Sequence, residues 1–203
     1  MAESFELLET IKWTPDGGFF LLERHLRRMD QSAAYFSYRC STAALRAHLD
    51  RAVTGCSGPQ RVRLLLARHG DIRVECTPLR TDQTPARIGV ATSPIDPSDP
   101  FLYHKTTNRR VYINARRSDC DDVVLWNPDR QVTESTIANI VVNIDGRKVT
   151  PAVSCGLLPG TFRAEQLEAG TIQEAIVTLD DLRATPEIWL INSVREWWSA
   201  KLV

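Results

Sequence analysis

Four segments of the 203-residue sequence carry residue types that could do chemistry together. Tyr103-His104-Lys105-Thr106-Thr107-Asn108-Arg109 supplies a lysine amine, a nucleophile and base once its charge is suppressed. Thr133-Glu134-Ser135-Thr136-Ile137-Ala138-Asn139 supplies a carboxylate able to hold a neighbouring base in its protonated form. His25-Leu26-Arg27-Arg28 supplies guanidinium groups whose planar fork of donors suits a phosphate. Gly156-Leu157-Leu158-Pro159-Gly160-Thr161-Phe162-Arg163 is a Gly/Pro turn opening a helix, where backbone N–H groups can hold the same anion. Taken singly, each has an ordinary reading. Lys105 is a solvated surface lysine, Glu134 a loop or turn carboxylate ahead of a strand at Ile140, the arginines the charged face of an amphipathic helix, and the turn one that binds nothing.

The elements around these segments follow from periodicity. Phe5 to Trp13 is strand-like, Asp16-Gly17-Gly18 turns, and a second apolar run at Phe19 to Leu22 completes a hairpin. Leu22, Leu26, Met29, Ala33 and Phe36 then mark one face of a helix, and a second helix begins near Ser41 with Leu45, Leu49 and Val53 inward. Arg61 to Ala67, Ile72 to Thr77 and Ile88 to Thr92 read as strands. The run Ser93-Pro94-Ile95-Asp96-Pro97-Ser98-Asp99-Pro100 disfavours helix and interior strand and suits an extended linker. The expected organisation is therefore an α/β (α+β) chain of two domains: 1–95, a linker over 96–104, and 105–203. In the second half Val123 to Trp126, Ile140 to Ile144, Lys148 to Thr150, Ile172 to Val177 and Ile188 to Ile191 read as strands. Helices are expected over Gly160 to Ala169, stopped by Gly170, and over Leu179 to Arg183.

Composition narrows the function classes. The 25 basic and 25 acidic residues cancel, so no global field draws nucleic acid or an anionic membrane surface, and small-molecule chemistry is favoured. The five cysteines are widely spaced without a CxxC pair, which argues for reduced thiols and against a disulfide framework or a zinc site; no metal is expected. No apolar stretch approaches bilayer-spanning length and no signal-peptide pattern opens the chain, so a cytoplasmic location is expected.

In this order the segments resemble the class IV aminotransferase family, the pyridoxal-phosphate enzymes of fold type IV. The resemblance runs from Glu9-Thr10-Ile11-Lys12 through His25 to Arg28, Lys105, Glu134 to Asn139, Gly160 to Arg163, and Asn192-Ser193. It implies a two-domain fold type IV enzyme, normally a homodimer, with pyridoxal 5'-phosphate between the domains. Lys105 would form the Schiff base, Arg28 would bind the phosphate, and Thr161 and Phe162 would offer it backbone N–H groups, with Asn192 or Ser193 completing the cup. Glu134 would pair with the pyridine nitrogen, keeping the ring an electron sink. An amine near pKa ~10.4 is a poor base at neutral pH, but imine formation, desolvation and a cationic ring can depress that value.

Within the family, Lys105-Thr106-Thr107-Asn108-Arg109 is similar to the aminodeoxychorismate lyase type, with Asn and Arg third and fourth after the lysine. The implied reaction takes 4-amino-4-deoxychorismate, a small-molecule amine, to pyruvate and 4-aminobenzoate. The alternatives are a branched-chain or D-amino-acid aminotransferase and a non-catalytic cofactor-binding homologue. The family's usual strand and Gly-Asp-Gly loop have no counterpart ahead of Glu9, and Leu8 stands at the usual aromatic position, which implies a reduced substrate wall. Arg63, Arg109 and Arg195 are all chemically suited to clamp a substrate carboxylate; Arg109 is the substrate-binding candidate adopted.

Overall fold

In β1 (Leu7–Thr14), Leu7, Glu9 and Ile11 share one parity and are all but fully buried, so a carboxylate sits on the core-facing side of a strand. The computed structural model describes residues 5–80 and 84–203. Its contacts divide the chain into two units, Met1–Thr81 with His104–Asn108, and Asp82–Tyr103 with Arg109–Val203.

In the first unit β1 turns through Gly18 at φ 65° into β2 (Gly18–Phe19). Helix α1 (Leu22–Phe36) buries His25, Leu26, Met29, Ser32 and Ala33, the stripe expected of an amphipathic helix. Helix α2 (Thr42–Ala52) starts at Ser41, whose side chain accepts from the Ala44 N–H, and buries Leu45 and Leu49. Strands β3 (Gln60–Leu66) and β4 (Ile72–Pro78) complete an antiparallel sheet of order β2-β1-β3-β4. Leu7, Ile11, Leu26, Met29, Leu45, Leu49, Val62 and Leu64 form its core against the two helices.

The second unit runs β5 (Ala86–Val90), α3 (Arg110–Asn114), β6 (Asp122–Trp126), β7 (Val132–Ser135), β8 (Asn139–Ile144) and β9 (Arg147–Pro151). It continues through α4 (Thr161–Glu168), β10 (Gln173–Ala175), α5 (Leu179–Ala184), β11 (Ile188–Asn192) and β12 (Glu196–Leu202). The strand order is β10-β9-β8-β11-β12-β5-β6-β7, and a further β7–β8 pairing closes the six strands from β8 round to β7 into a ring. Ile88, Val124, Val132, Ile140, Val142, Leu190 and Trp198 belong to its core. The α/β character expected from the sequence is what the chain has.

The boundaries differ from the expectation. Residues 84–103, with the proline-rich run, belong to the second unit, and 104–108, with Lys105, belong to the first. Proline removes a backbone donor but does not prevent burial: Ile95 is 6% exposed and its N–H donates to the Trp126 carbonyl at 2.8 Å. The expected strand Ile172 to Val177 contracts to β10, and α4 begins at Thr161.

Helix α5 is closed by a capping box in which the Thr178 hydroxyl accepts from the Asp181 N–H while the Asp181 carboxylate accepts from the Thr178 N–H at 2.8 Å. Thr178→Ala should lower unfolding free energy by about 1 kcal/mol, measured by urea denaturation; no change would mean that packing of Leu179 and Leu182 alone fixes this helix.

Candidate active site

The first unit gathers four chemically competent residues around β1. Glu9 accepts from Arg28 Nε at 2.8 Å and Nη2 at 2.7 Å, a two-point ion pair, and its Oε2 lies 2.7 Å from His25 Nδ1. Burial alone would raise the Glu9 pKa, but the Arg28 charge and hydrogen bonds, helped by His25, win and bring it down to about 2. His25, fully buried, is shifted down as well: burial lowers its pKa against the pull of Glu9, and the charges of Arg28 and Lys105 push in the same direction as burial. A neutral His25 must carry its proton on Nδ1, because an ionised Glu9 can only accept. Arg28 is therefore an ionised, oriented guanidinium with a side chain only 11% exposed.

Lys105 is held by its neighbours in sequence. The Leu8 N–H donates to the Lys105 carbonyl at 3.0 Å, the Thr107 N–H to the Glu6 carbonyl at 2.9 Å, and Thr106 forms an isolated antiparallel bridge with Leu7, so residues 105–107 are tied to the start of β1. His104 anchors the segment to α1: its Nδ1 is 2.9 Å from Ser32 Oγ, and its ring stacks on Tyr35 at 4.4 Å. The half-buried Lys105 thus occupies a fixed backbone position within electrostatic reach of His25.

The second unit gathers the remaining candidates around the turn joining β7 to β8. Glu134, 4% exposed, lies in β7 and not in a loop; its Oε1 accepts from the Tyr112 hydroxyl at 2.8 Å and from the Leu158 N–H at 3.1 Å. The Asn139 amide donates to the Leu158 carbonyl at 2.9 Å, fixing the segment ahead of α4. A side chain at Gly160 would put its Cβ 2.0 Å from Asn139 Oδ1, so only glycine lets α4 begin so close to β8. Thr161 and Phe162, both buried, form the first positions of α4. Asn192 is committed to its own hairpin: its Oδ1 accepts from the Val194 and Arg195 N–H groups at 2.9 Å, and its Nδ2 donates to the Ile137 carbonyl at 3.2 Å. Ser193 beside it is buried. Arg109 lies 4.5 Å over the Tyr112 ring and donates through Nη2 to the Thr136 carbonyl.

The three candidate carboxylate clamps have different surroundings. Arg63 pairs across strands with Glu75 at 2.6 Å, and Arg195 lies 5.4 Å over the Trp198 ring. Arg109 alone of the three borders the turn that follows Glu134. Two partners are absent from the set of residues expected from sequence, Glu9 behind Arg28 and Tyr112 behind Glu134. Glu9 had a signal, a carboxylate at the core-facing parity of an apolar strand; Tyr112 had none.

The model of the family described as amino-transferase class IV matches residues 6–203. The chain belongs to this family. A Schizosaccharomyces pombe protein provisionally named an aminodeoxychorismate lyase is 33% identical over 205 residues, covering 96% of this chain and 88% of its own. A Mesorhizobium loti crystal structure, provisionally named an amino-acid aminotransferase, is 35% identical with a TM-score of 0.92, covering 98% of this chain and 100% of that one. The 4-amino-4-deoxychorismate lyase of Pseudomonas aeruginosa, 21% identical with a TM-score of 0.82 over 97% of this chain and 82% of that one, shares the fold. The chain is thus an enzyme of the class IV, fold type IV kind, whose members depend on pyridoxal phosphate. No helix among the described residues is long and apolar enough to cross a membrane.

The Glu9 cluster gives a pH dependence with a defined sign. Below the ordinary His25 value of 6.5 the unfolded chain takes up a proton that the native chain refuses, and from 4.5 down to about 2 the same holds for Glu9. Stability must then fall as pH falls through both windows. Denaturant unfolding between pH 7 and pH 3 should show this decline in the native chain and a shallower one in Glu9→Gln. Parallel slopes would assign acid sensitivity to other groups.

Proposed function

We propose that this enzyme holds pyridoxal 5'-phosphate and uses it for lyase chemistry, taking 4-amino-4-deoxychorismate to 4-aminobenzoate and pyruvate. The observation that carries the cofactor reading is Glu134, a carboxylate buried on a strand with donors converging on one oxygen, as a partner for a protonated pyridine nitrogen would require. Arg28, oriented by Glu9, suits the phosphate. The backbone at Thr161 and Phe162 suits the same group, with Ser193 favoured over Asn192 because the Asn192 amide is engaged in its turn. Lys105 supplies the covalent anchor. These donors are of the chemical types the cofactor needs, and its pyridinium ring, when bound, supplies a sink for the electrons left by a departing proton.

The protein's own residues then have definite tasks. Lys105 removes the proton on the substrate carbon that bears the amine. Arg109 pairs with a substrate carboxylate and turns that carbon towards Lys105. The ring carbon–oxygen bond to the enolpyruvyl group breaks, the departing enolate takes up a proton on its methylene carbon to become pyruvate, and aromatisation of the ring drives the step. Lyase chemistry is favoured over transamination by the Lys105 to Arg109 run and by the 33% identity to the Schizosaccharomyces pombe relative. Amino-group exchange on a branched-chain or D-amino acid is the second reading, favoured by the Mesorhizobium loti structure and the name it carries. A homodimer and a cytoplasmic location complete the proposal.

The test is absorbance of the purified chain with added pyridoxal phosphate, followed by borohydride reduction and peptide mapping. The cofactor should be fixed on Lys105, and Lys105→Ala should abolish both fixation and turnover with the fold intact. Fixation on another lysine would refute the anchor. Arg28→Ala should chiefly weaken cofactor retention, whereas Glu134→Ala should lower turnover more than retention, by about 100-fold or more; an unchanged rate would remove Glu134 from the chemistry. Release of 4-aminobenzoate, monitored by fluorescence, against keto-acid-dependent amino exchange decides between the two reactions.

A further inference from the structure

Tyr112 is the buried residue of α3, and none of the roles assigned above uses it. Its hydroxyl donates to Glu134 Oε1 at 2.8 Å, the same oxygen that accepts from the Leu158 N–H. The phenol is held on its other side as well. The Arg109 guanidinium lies 4.5 Å over the ring, and Arg109 is tied to the Thr136 carbonyl. Thr136 is tied in turn to Asp122 Oδ1, through its N–H at 3.1 Å and its hydroxyl at 2.6 Å. Burial, reinforced by the Glu134 charge, pushes the phenol's deprotonation well above its ordinary range, so this group stays a donor wherever the enzyme works.

Resting on the reading that Glu134 faces the pyridine nitrogen, we infer that Tyr112 is a positioning residue: it fixes the rotation of the Glu134 carboxylate. Two effects oppose each other. A donor on Oε1 draws off some negative charge and so weakens the pull on a protonated ring nitrogen. The same donor, with the Leu158 N–H, holds the carboxylate in one orientation, so that less ordering remains when a ring nitrogen arrives. The second effect is larger, because a charge-assisted hydrogen bond weakens steeply once its angle is lost. Tyr112 therefore strengthens the chain's preference for a ring that bears a basic nitrogen, and it does so only through Glu134.

The experiment compares the affinity of the full chain for pyridoxal 5'-phosphate with its affinity for the carbocyclic analogue in which the ring nitrogen is replaced by carbon. Wild type should prefer the natural cofactor. Tyr112→Phe keeps the ring beneath Arg109 and the Leu158 N–H on Glu134. It should shrink the preference about tenfold with analogue affinity unchanged, and its thermal midpoint should stay within about 3 °C of wild type. In Glu134→Gln the preference should vanish, and adding Tyr112→Phe to that background should change nothing more. Equal losses for both ligands, additive effects in the double variant, or an unfolded Tyr112→Phe would each show a merely structural tyrosine and overturn the inference. A wild type with no preference would overturn it differently, by showing that Glu134 does not meet the ring nitrogen.

Discussion

Burying a carboxylate costs several kcal/mol unless donors and counter-charges replace the water it loses. Each unit of this enzyme is organised around one such group. In the first, Glu9 projects from the core face of β1 and is stabilised by Arg28 and His25, both on α1. The pairing fixes α1 against the sheet at a specific rotation, which packing of Leu26 and Met29 alone would specify less sharply. It also yields an arginine that enters any ligand contact already ordered, with little side-chain entropy left to lose. In the second unit Glu134 draws a tyrosine from α3 and an N–H from the segment before α4 onto a single oxygen. The two glutamates have different partners: Glu9 has a guanidinium at hydrogen-bond distance, while Glu134 Oε1 accepts from a hydroxyl and an amide.

Much of the fold was legible because its long elements carry strong periodicity. Helix α1, the strands of the first sheet, and β6, β8 and β11 lie where apolar spacing puts them, since each has one face that must be buried. Strand β7 escaped because Val132-Thr133-Glu134-Ser135 is polar in sequence yet buried at every position. Glu134 is held by Tyr112 and Ser135 by the neighbouring turn, facts of tertiary structure that no local window contains. Strand β12 escaped for a related reason: Glu196 at φ 61° opens it from a tight hairpin, and only Trp198 and Ala200 of its residues are deeply buried. The proline-rich run misled in the opposite direction. Proline content reports lost backbone donors, and a segment such as 93–100 can still pack by burying Ile95 and capping its turn with Asp99.

For the candidate site, the family pattern singles out candidate residues but not the residues that hold them in place. Lys105, Arg28 and Glu134 stand out by type and order along the chain. Their supports are distant in sequence: His104 depends on Ser32 and Tyr35, Arg28 on Glu9, Glu134 on Tyr112 and Leu158. Such pairings are formed by strand register and helix rotation, and those are global properties. The exception is Glu9. Standing between Leu7 and Ile11 on one strand face, a carboxylate demands a buried counter-charge by position alone.

The same logic bears on why Lys105 sits where it does. A lysine serving as covalent anchor and base must be held at its backbone while its side chain stays mobile enough to take and return a proton. The isolated bridge at Thr106 and the flanking backbone hydrogen bonds meet the first need by tying 105–107 to β1, the strand that also carries Glu9. His104 meets it again from the other side, since its stacking on Tyr35 and its bond to Ser32 bind the segment to α1. Lys105 and Arg28 are thus tied to the same strand and the same helix, the lysine by backbone pairing and the arginine by an ion pair. A change that loosened the Glu9 pair would be felt at both, because it would alter the rotation of α1 on which each depends. The burial of one glutamate in β1 therefore constrains both Lys105 and Arg28.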